Sequence, residues 1–302
     1  MTSTHNETPF DVIVVGGSYA GMSAALQLAR ASRRVLVIDS GEPRNEAARH
    51  AHGFLGQEGR PPAEIRAAAR AELLSYPTVT WRRDTAIDAT RLSPGAPFNV
   101  ACAEGGQVQG MRLVLAHGVR DILPPIEGLA ERWGRGVFHC PYCHAYEYRG
   151  RRIGVIAALG KDGTGQARLL ADWGHITLFA QSGDAADPLA DADPDMPELA
   201  LETACVRRIV DTATVELDDG RRVEMDVLFV APEGVLSSPL AQKLGCSMET
   251  ADCITTDSAK QTTVEGVFAC GDCARMAGSI ALAVGEGALA GVAVHRSLLG
   301  LL

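Results

Sequence analysis

The stretch that decides the fold is DVIVVGGSYAGMSAALQLARASRRVLVIDS, residues 11–40. An apolar run, Val12 to Val15, meets a glycine-rich turn and then a helical pattern of apolar residues. A second apolar run, Val35 to Ile38, follows and ends in Asp39. Short apolar runs on either side of an amphipathic helix are typical of a βαβ unit with parallel strands. The sequence therefore predicts an α/β fold that begins with such a unit.

The turn of this unit is close to a dinucleotide-binding fingerprint. Residues 16–21, GGSYAG, match G-x-G-x-x-G except that Ser18 stands at the second glycine position. Glycines here let the backbone approach a pyrophosphate at the helix N-terminus, and a carboxylate at the next strand end can bind a ribose. A tight turn without a ligand is the structural alternative. We expect a dinucleotide held by Gly16, Gly17, Ser18, Gly21 and Asp39.

Composition excludes several classes of partner. The chain has 302 residues, 46% of them hydrophobic, which is enough for two domains. A formal charge of -9 disfavours nucleic acid, because such binding needs clustered Lys and Arg. The sequence contains neither an apolar run of about eighteen residues nor a basic-then-apolar leader, so we expect no membrane partner and a cytoplasmic location. The eight cysteines lack the dense spacing of a secreted scaffold and fit a reducing compartment.

FHCPYCH, residues 138–144, contains a CxxC motif formed by Cys140 and Cys143. At the start of a helix this spacing suits dithiol chemistry, because the helix N-terminus stabilises a thiolate and the short spacing lets a disulfide close. Zinc is the competing use, since Cys270 and Cys273 could complete four thiolate ligands. The two pairs are much farther apart than in zinc ribbons, so we expect a redox pair and no metal.

Four segments, taken in order, carry a family resemblance: the fingerprint, the strand-end AHG at 116–118 (usually ATG), the CxxC, and GVFACGD at 266–272. Over nearly the whole chain they resemble the low-molecular-weight thioredoxin reductase-like flavoproteins. The resemblance implies an α/β fold of two Rossmann-like nucleotide-binding domains, a homodimer, and FAD as cofactor. It implies an FAD domain at 1–117 and 242–302, split by an inserted, smaller NAD(P)-binding-like domain at 118–241 that carries the CxxC.

The resemblance also implies roles for individual residues. Cys143 would exchange electrons with the flavin and Cys140 would exchange with the substrate. The glycine turn would hold the pyrophosphate and Asp39 the adenosine ribose. Gly271 and Asp272 would contact the ribityl chain of FAD, and Ser279, Ile280 and Ala281 would lie near its isoalloxazine ring.

His144 distinguishes two branches of this family. Thioredoxin reductases usually have an aspartate there, whereas the dithiol oxidases that close disulfides in gliotoxin, holomycin and romidepsin type products carry CxxCH. A histidine could take a proton from a thiol near neutral pH; a helix-surface histidine without a role is the alternative. His52 is a candidate for lining the site, while we interpret His50 and His139 as solvated loop residues.

The middle of the chain bears on the electron source. After the strand Ile153 to Ala157, the turn at residues 158–165, ALGKDGTG, is longer than GxGxxA and out of register. The next strand leads to Gln181, Ser182 and Asp184 where an NADPH-using enzyme needs cations for the 2′-phosphate. We expect NADPH binding to be lost, with binding of NADH left open.

The function that follows is an FAD-dependent dithiol oxidase. A small-molecule dithiol would reduce the Cys140/Cys143 disulfide, and O2 would be the final acceptor. One alternative is an NAD(P)H-dependent thioredoxin or disulfide reductase, in which electrons leave through Cys140. The other alternative is a redox sensor that contains the flavin and the thiol pair but does not turn over. Turnover of a dithiol under air would distinguish the oxidase from such a sensor.

Overall fold

A computed structural model describes residues 8–158, 160–161, 163–181 and 199–302. The elements of the first half of the chain are β1 (Phe10–Val15), α1 (Tyr19–Arg30), β2 (Val35–Asp39), α2 (Pro62–Leu74), β3 (Val79–Arg83), β4 (Ala86–Arg91), β5 (Phe98–Cys102), β6 (Gln107–Leu115), β7 (Val119–Ile122), β8 (Val137–Phe138) and α3 (Pro141–His144). Those of the second half are β9 (Arg152–Ile156), α4 (Thr164–Leu170), β10 (His175–Phe179), β11 (Ala200–Glu202), β12 (Val206–Val210), β13 (Thr214–Leu217), β14 (Arg222–Glu224), β15 (Val227–Val230), β16 (Glu233–Leu236), α5 (Leu240–Lys243), β17 (Met248–Thr250), β18 (Cys253–Ile254), β19 (Val267–Ala269) and α6 (Ile280–Leu298).

The first compact unit comprises residues 1–44, 63–120 and 234–302. Its sheet has the strand order β3-β2-β1-β6-β5-β4, and β19 also pairs with β6. β1 is parallel to both β2 and β6, and β19 is parallel to β6. The carboxyl ends of these strands therefore meet at one edge, which is where open α/β sheets bind ligands. β1 is apolar along most of its length because it is buried on both faces of the sheet.

The second compact unit comprises residues 45–62 and 121–233. Its main sheet has five strands in the order β11-β10-β9-β15-β8, and all four pairings are parallel. Phe179 and Phe229 are fully buried at the ends of β10 and β15. β4, β5 and β6 pair antiparallel in the first unit, and β12, β13 and β14 form a separate antiparallel sheet in the second. Each unit nevertheless contains a set of parallel strands with helices between them, and the predicted class of two Rossmann-like α/β domains is confirmed.

The loop of residues 45–62 lies in the second unit, whereas the sequence interpretation kept it within an FAD domain ending at residue 117. Gly134 shows why. A Cβ placed on this glycine would lie 2.6 Å from the carbonyl oxygen of Ala47, so only a residue without a side chain lets the loop approach so closely. Within the described part of the chain, no helix has both the length and the apolar character needed to cross a bilayer.

Candidate active site

The turn between β1 and α1 is too tight for side chains. Gly16 has a φ of +102°, and a Cβ there would lie 2.3 Å from the carbonyl oxygen of Ala116. A Cβ on Gly21 would lie 1.8 Å from the carbonyl oxygen of Gly16. The backbone N–H of Gly17 donates to Oδ1 of Asp39 at 2.9 Å, which ties the turn to the end of β2. The structure thus brings these predicted residues together at the carboxyl edge of the sheet.

Ser18 occupies the N-cap position of α1 in an extended conformation, and its side chain makes no capping hydrogen bond. No acidic residue lies in the first helical turn. The positive end of the helix dipole is therefore not neutralised by the usual side chains. Such an N-terminus attracts a phosphate or pyrophosphate group.

α6 brings the C-terminal segment against this turn. A Cβ on Gly287 would lie 2.1 Å from the carbonyl oxygen of Ala20, and one on Gly271 would lie 2.8 Å from the Cβ of Ala20. The hydroxyl of Ser23 donates to the carbonyl oxygen of Val284 at 2.7 Å. Small residues thus let α1 and α6 approach closely, and the Gly271 turn lies beside the start of α1.

The turn at Gly271 is held by a charged network. Its N–H donates to Oε2 of Glu286 at 3.1 Å, while Lys260 binds Oε1 of the same carboxylate at 2.6 Å. Next to it, Asp272 pairs with Arg44 at 2.8 Å. Ser279 caps α6 by accepting from the N–H of Leu282 at 3.2 Å, so Ile280 and Ala281 form the first turn of that helix. The roles of these residues in holding FAD stay predictions.

His117 is a residue of this site whose role the sequence did not indicate. It lies beside the glycine turn, with its Cα 2.9 Å from a Cβ placed on Gly16. Burial lowers the pKa of His117 to about 4, so the ring is neutral. Its Nδ1 lies 3.1 Å from the carbonyl oxygen of Gly118 and donates to it, which leaves Nε2 as an acceptor. That Nε2 is buried and meets no partner among the described residues.

These features fit a dinucleotide such as FAD. The glycine turn and the N-terminus of α1 suit a pyrophosphate, and the acceptor on His117 suits a hydroxyl donor of a ribose or ribityl chain. The variation of ATG to AHG was the available signal for His117, but burial of an imidazole is not visible in a single sequence.

Gly21→Ala is expected to release FAD and to lower the free energy of unfolding by about 1–3 kcal/mol, because its Cβ would collide with a backbone oxygen. Gly285→Ala is the matched control, since a Cβ there meets nothing within 4 Å and lies inside α6. It should keep FAD and gain about 0.5–1 kcal/mol from helix propensity. Flavin absorbance after gel filtration and urea unfolding measure both quantities. Full flavin content in Gly21→Ala would contradict the assignment of the turn.

Cys140 and Cys143 form a disulfide in the second unit, with their Cα atoms 5.3 Å apart. Cys140 is the N-cap of α3 and Pro141 is its first residue, so the motif lies at the start of a short helix as expected. Both cysteines are partly exposed. The next residue, His144, stacks on Phe138 with ring centroids 4.2 Å apart.

The imidazole ring of His144 is uncharged at physiological pH. Burial, and then the nearby His52, lower the pKa of His144 to about 4. The ring is therefore not a solvated surface histidine, which was the alternative interpretation of its sequence position. A neutral imidazole can accept a proton from a thiol.

A cavity of about 600 Å³ lies beside His144 and is lined by second-unit residues only. Phe138 and Tyr148 supply aromatic surface, and His50 and His52 reach it from the loop of residues 45–62. His50 is thus a cavity residue, although it is exposed as expected. His139 does not line this cavity; its carbonyl oxygen accepts from Nε2 of Gln166 at 2.7 Å.

Cys270 and Cys273 are fully buried behind the Gly271 turn. Burial raises the pKa of Cys273 to about 12 and that of Cys270 well above its ordinary value, so both remain protonated thiols. The Sγ of Cys273 donates to the carbonyl oxygen of Leu115 at 3.3 Å. This chemistry suits packing rather than the thiolate ligation that zinc needs.

The second unit carries an acidic strand end where a nucleotide 2′-phosphate would need cations. β11 ends at Glu202, paired with Phe179 of β10, and Arg221 binds this carboxylate at 2.7 Å. Arg221 also binds Asp219 at 2.7 Å, so its charge is already matched by two carboxylates. Gln181 has a buried amide nitrogen, while Ser182 and Asp184 lie outside the described residues.

In the turn that follows β9, the lysine side chain is bound to a backbone carbonyl oxygen. Nζ of Lys161 binds the carbonyl oxygen of Pro232 at 2.6 Å, and Gly163 precedes α4 with a φ of +71°. Leu159 and Asp162 of this turn lie outside the described residues. The lysine is therefore engaged with backbone rather than pointing free for a phosphate.

Comparison with known proteins shows the family to which the chain belongs. The model of the pyridine nucleotide-disulphide oxidoreductase family matches residues 10–160 and 198–287. Thioredoxin reductase sirT of Leptosphaeria maculans is 30% identical over 312 residues, covering 96% of this chain and 95% of that protein. The structure of an oxidoreductase from Agrobacterium tumefaciens is 47% identical with a TM-score of 0.90, covering 97% of this chain and 99% of that one. The crystal structure of HlmI is 32% identical with a TM-score of 0.91, and the match covers 99% of this chain and 96% of that one.

The family match spans most of the chain, and both the sirT and the HlmI likenesses run nearly end to end. The chain therefore belongs to the pyridine nucleotide-disulphide oxidoreductase family, in which it is a thioredoxin reductase-like, FAD-dependent flavoprotein.

Proposed function

We propose that the protein is a dithiol oxidase that closes a disulfide in a small-molecule dithiol with O2 as the electron acceptor. The observation that carries this proposal is His144, an uncharged imidazole directly after Cys143 that lines a cavity of about 600 Å³. A cavity of that size suits a small substrate. A neutral base is what removal of protons from a dithiol requires.

The residues of the second unit would act in the following order. His144 takes a proton from one substrate thiol, and the resulting thiolate attacks Sγ of Cys140. The Cys140–Cys143 bond breaks, and its electron pair remains on Cys143. Once its first proton has left to solvent, His144 takes the proton of the second substrate thiol. That thiolate attacks the substrate sulfur of the mixed disulfide, and the bond to Cys140 breaks to release Cys140 as a thiolate. The substrate has then lost two protons and two electrons, and the enzyme holds two reduced cysteines.

Bound FAD supplies the two-electron acceptor that restores the cysteine disulfide and allows O2 to be reduced to hydrogen peroxide. The residues proposed to hold it are Gly16, Gly17, Ser18, Gly21, Asp39, Gly271, Asp272, Ser279, Ile280 and Ala281.

The second candidate is a nicotinamide-dependent disulfide reductase. The relative sirT is named a thioredoxin reductase. The second unit argues against NADPH as donor here. Its strand end presents Glu202, and the Arg221 guanidinium beside it is already paired with two carboxylates. A 2′-phosphate needs charge-assisted contacts from free cations. We therefore rank the oxidase first and the reductase second.

The proposal includes a homodimer in the cytoplasm. Exposed apolar side chains on α6, Leu282, Leu289 and Val292, support burial against a second copy. Light scattering should give about twice the 31.9 kDa of one chain; a mass of one chain would exclude the dimer.

An oxygen electrode tests the function. Holoenzyme mixed with a small dithiol in air should consume O2 without added nicotinamide, and catalase should return half of it, because peroxide is the product. Disulfide formed should equal O2 consumed in the absence of catalase. No O2 uptake with any of several small dithiols, together with rapid NADPH oxidation in the presence of a disulfide, would contradict the oxidase and favour the reductase. Sustained turnover would also exclude a redox sensor that does not turn over.

A further inference from the structure

His52, in the loop of residues 45–62, lies close to His144. Its Nδ1 lies 2.6 Å from Oε1 of Glu58 and 3.8 Å from Oε1 of Glu147. Its ring stands at 85° to the ring of His144, with the centroids 6.3 Å apart. All four residues belong to the second unit, so their arrangement is fixed within one compact body.

Glu58 sets the proton position on His52. Hydrogen bonds from His52 and from the N–H of Gly53, at 2.9 Å, lower the pKa of Glu58, so it is a carboxylate at neutral pH. A carboxylate can only accept hydrogen bonds, so Nδ1 of His52 is the donor. Nε2 then carries the lone pair and is free to accept a proton. Glu58 thus fixes the tautomer and the orientation of the His52 ring, as carboxylates do for other histidines that accept protons.

Among the described residues, the rings of His52 and Phe138 lie next to the His144 ring, and of these two His52 can carry a proton. Phe138 covers one face of the His144 ring. Burial raises the pKa of Tyr148, so this phenol stays neutral. The other charged or titratable groups that line the cavity are Arg49, His50, Glu131, Arg132, Arg135, Glu147 and Asp211.

We propose that His52, oriented by Glu58, relays protons between His144 and solvent during dithiol oxidation. His144 receives the proton of a substrate thiol, passes it to Nε2 of His52 directly or through one water, and is neutral again for the second thiol. His52 releases the proton through the cavity, so each histidine ends the cycle as it began. The inference rests on the proposed function and adds a proton path to it.

Anaerobic stopped-flow reduction of the holoenzyme flavin by a small dithiol, between pH 5.5 and about 9, tests this path. His52→Ala should slow reduction at pH 7 by about 10- to 100-fold, and added imidazole should restore much of the rate, because the lost group is a proton acceptor. Glu58→Gln should slow reduction by about tenfold and move the acidic limb of the rate profile to lower pH, because a carboxylate no longer stabilises the protonated ring. His175→Asn, which changes an exposed histidine of the same unit that does not line the cavity, should stay within about twofold and show no rescue.

The outcomes separate the two proposals. No flavin reduction by dithiol in the unaltered protein overturns the oxidase. Rapid reduction in the unaltered protein, with His52→Ala unrescued by imidazole and matching His175→Asn, overturns the relay and leaves the oxidase standing. If His52→Ala fails to retain FAD, Glu58→Gln decides, since an unchanged rate and pH profile in that variant also overturns the relay.

Discussion

Cys143→Ser is expected to abolish reduction of the flavin by dithiols, with a loss of at least about a thousandfold. Without Cys143 the enzyme has no disulfide for a substrate thiolate to attack, so the two electrons have no entry. Anaerobic stopped-flow absorbance of the flavin measures the rate. Cys205→Ser is the matched control, because Cys205 is a partly exposed free thiol of the same unit; it should react like the unaltered protein.

Cys140→Ser should lose turnover as completely but give a different spectrum. Cys143 would remain as a free thiolate, and the family resemblance implies that it is the sulfur that contacts the flavin. We therefore expect a long-wavelength charge-transfer band in Cys140→Ser that is absent from Cys143→Ser. The band in Cys143→Ser instead would reverse the roles of the two cysteines.

NADPH is expected to bind at least about tenfold more weakly for each missing contact to its 2′-phosphate, because one charge-assisted hydrogen bond contributes about 1.5–3 kcal/mol. Near the strand ends of the second unit, Arg221 is engaged with Glu202 and Asp219, and Lys161 with a backbone oxygen. Titration calorimetry with NADPH and NADH should show no preference for NADPH. A tenfold or greater preference would show that cations for the phosphate do exist.

Much of the FAD side of the molecule could be predicted because its signals are local. The strand at Val12 to Val15, the glycine turn and the strand ending at Asp39 are adjacent in sequence, and the structure has β1, the turn and β2 there. Ser279, which the resemblance assigns to the isoalloxazine, is the N-cap of α6 (Ile280–Leu298). Apolar periodicity and glycine steric demands are properties that a single sequence displays directly.

The parts that were not foreseen depend on contacts between residues far apart in the sequence. Nothing near residue 52 indicates that its loop joins the second unit, because that depends on the close approach of Ala47 to Gly134. The neutral state of His144 and of His117 comes from burial, which no local pattern reports. The pairing of Arg221, just before β14, with Glu202 at the end of β11 likewise depends on an association that only the fold creates.

The direction of electron flow is the central claim, and one anaerobic measurement tests it most directly. Oxidised holoenzyme is mixed in a stopped-flow instrument with a small dithiol in one experiment and with micromolar NADPH in another, and the flavin absorbance is followed. We predict rapid, stoichiometric bleaching by the dithiol and slow or no bleaching by NADPH. Rapid, stoichiometric bleaching by NADPH, with none by the dithiol, would contradict the oxidase and restore the reductase.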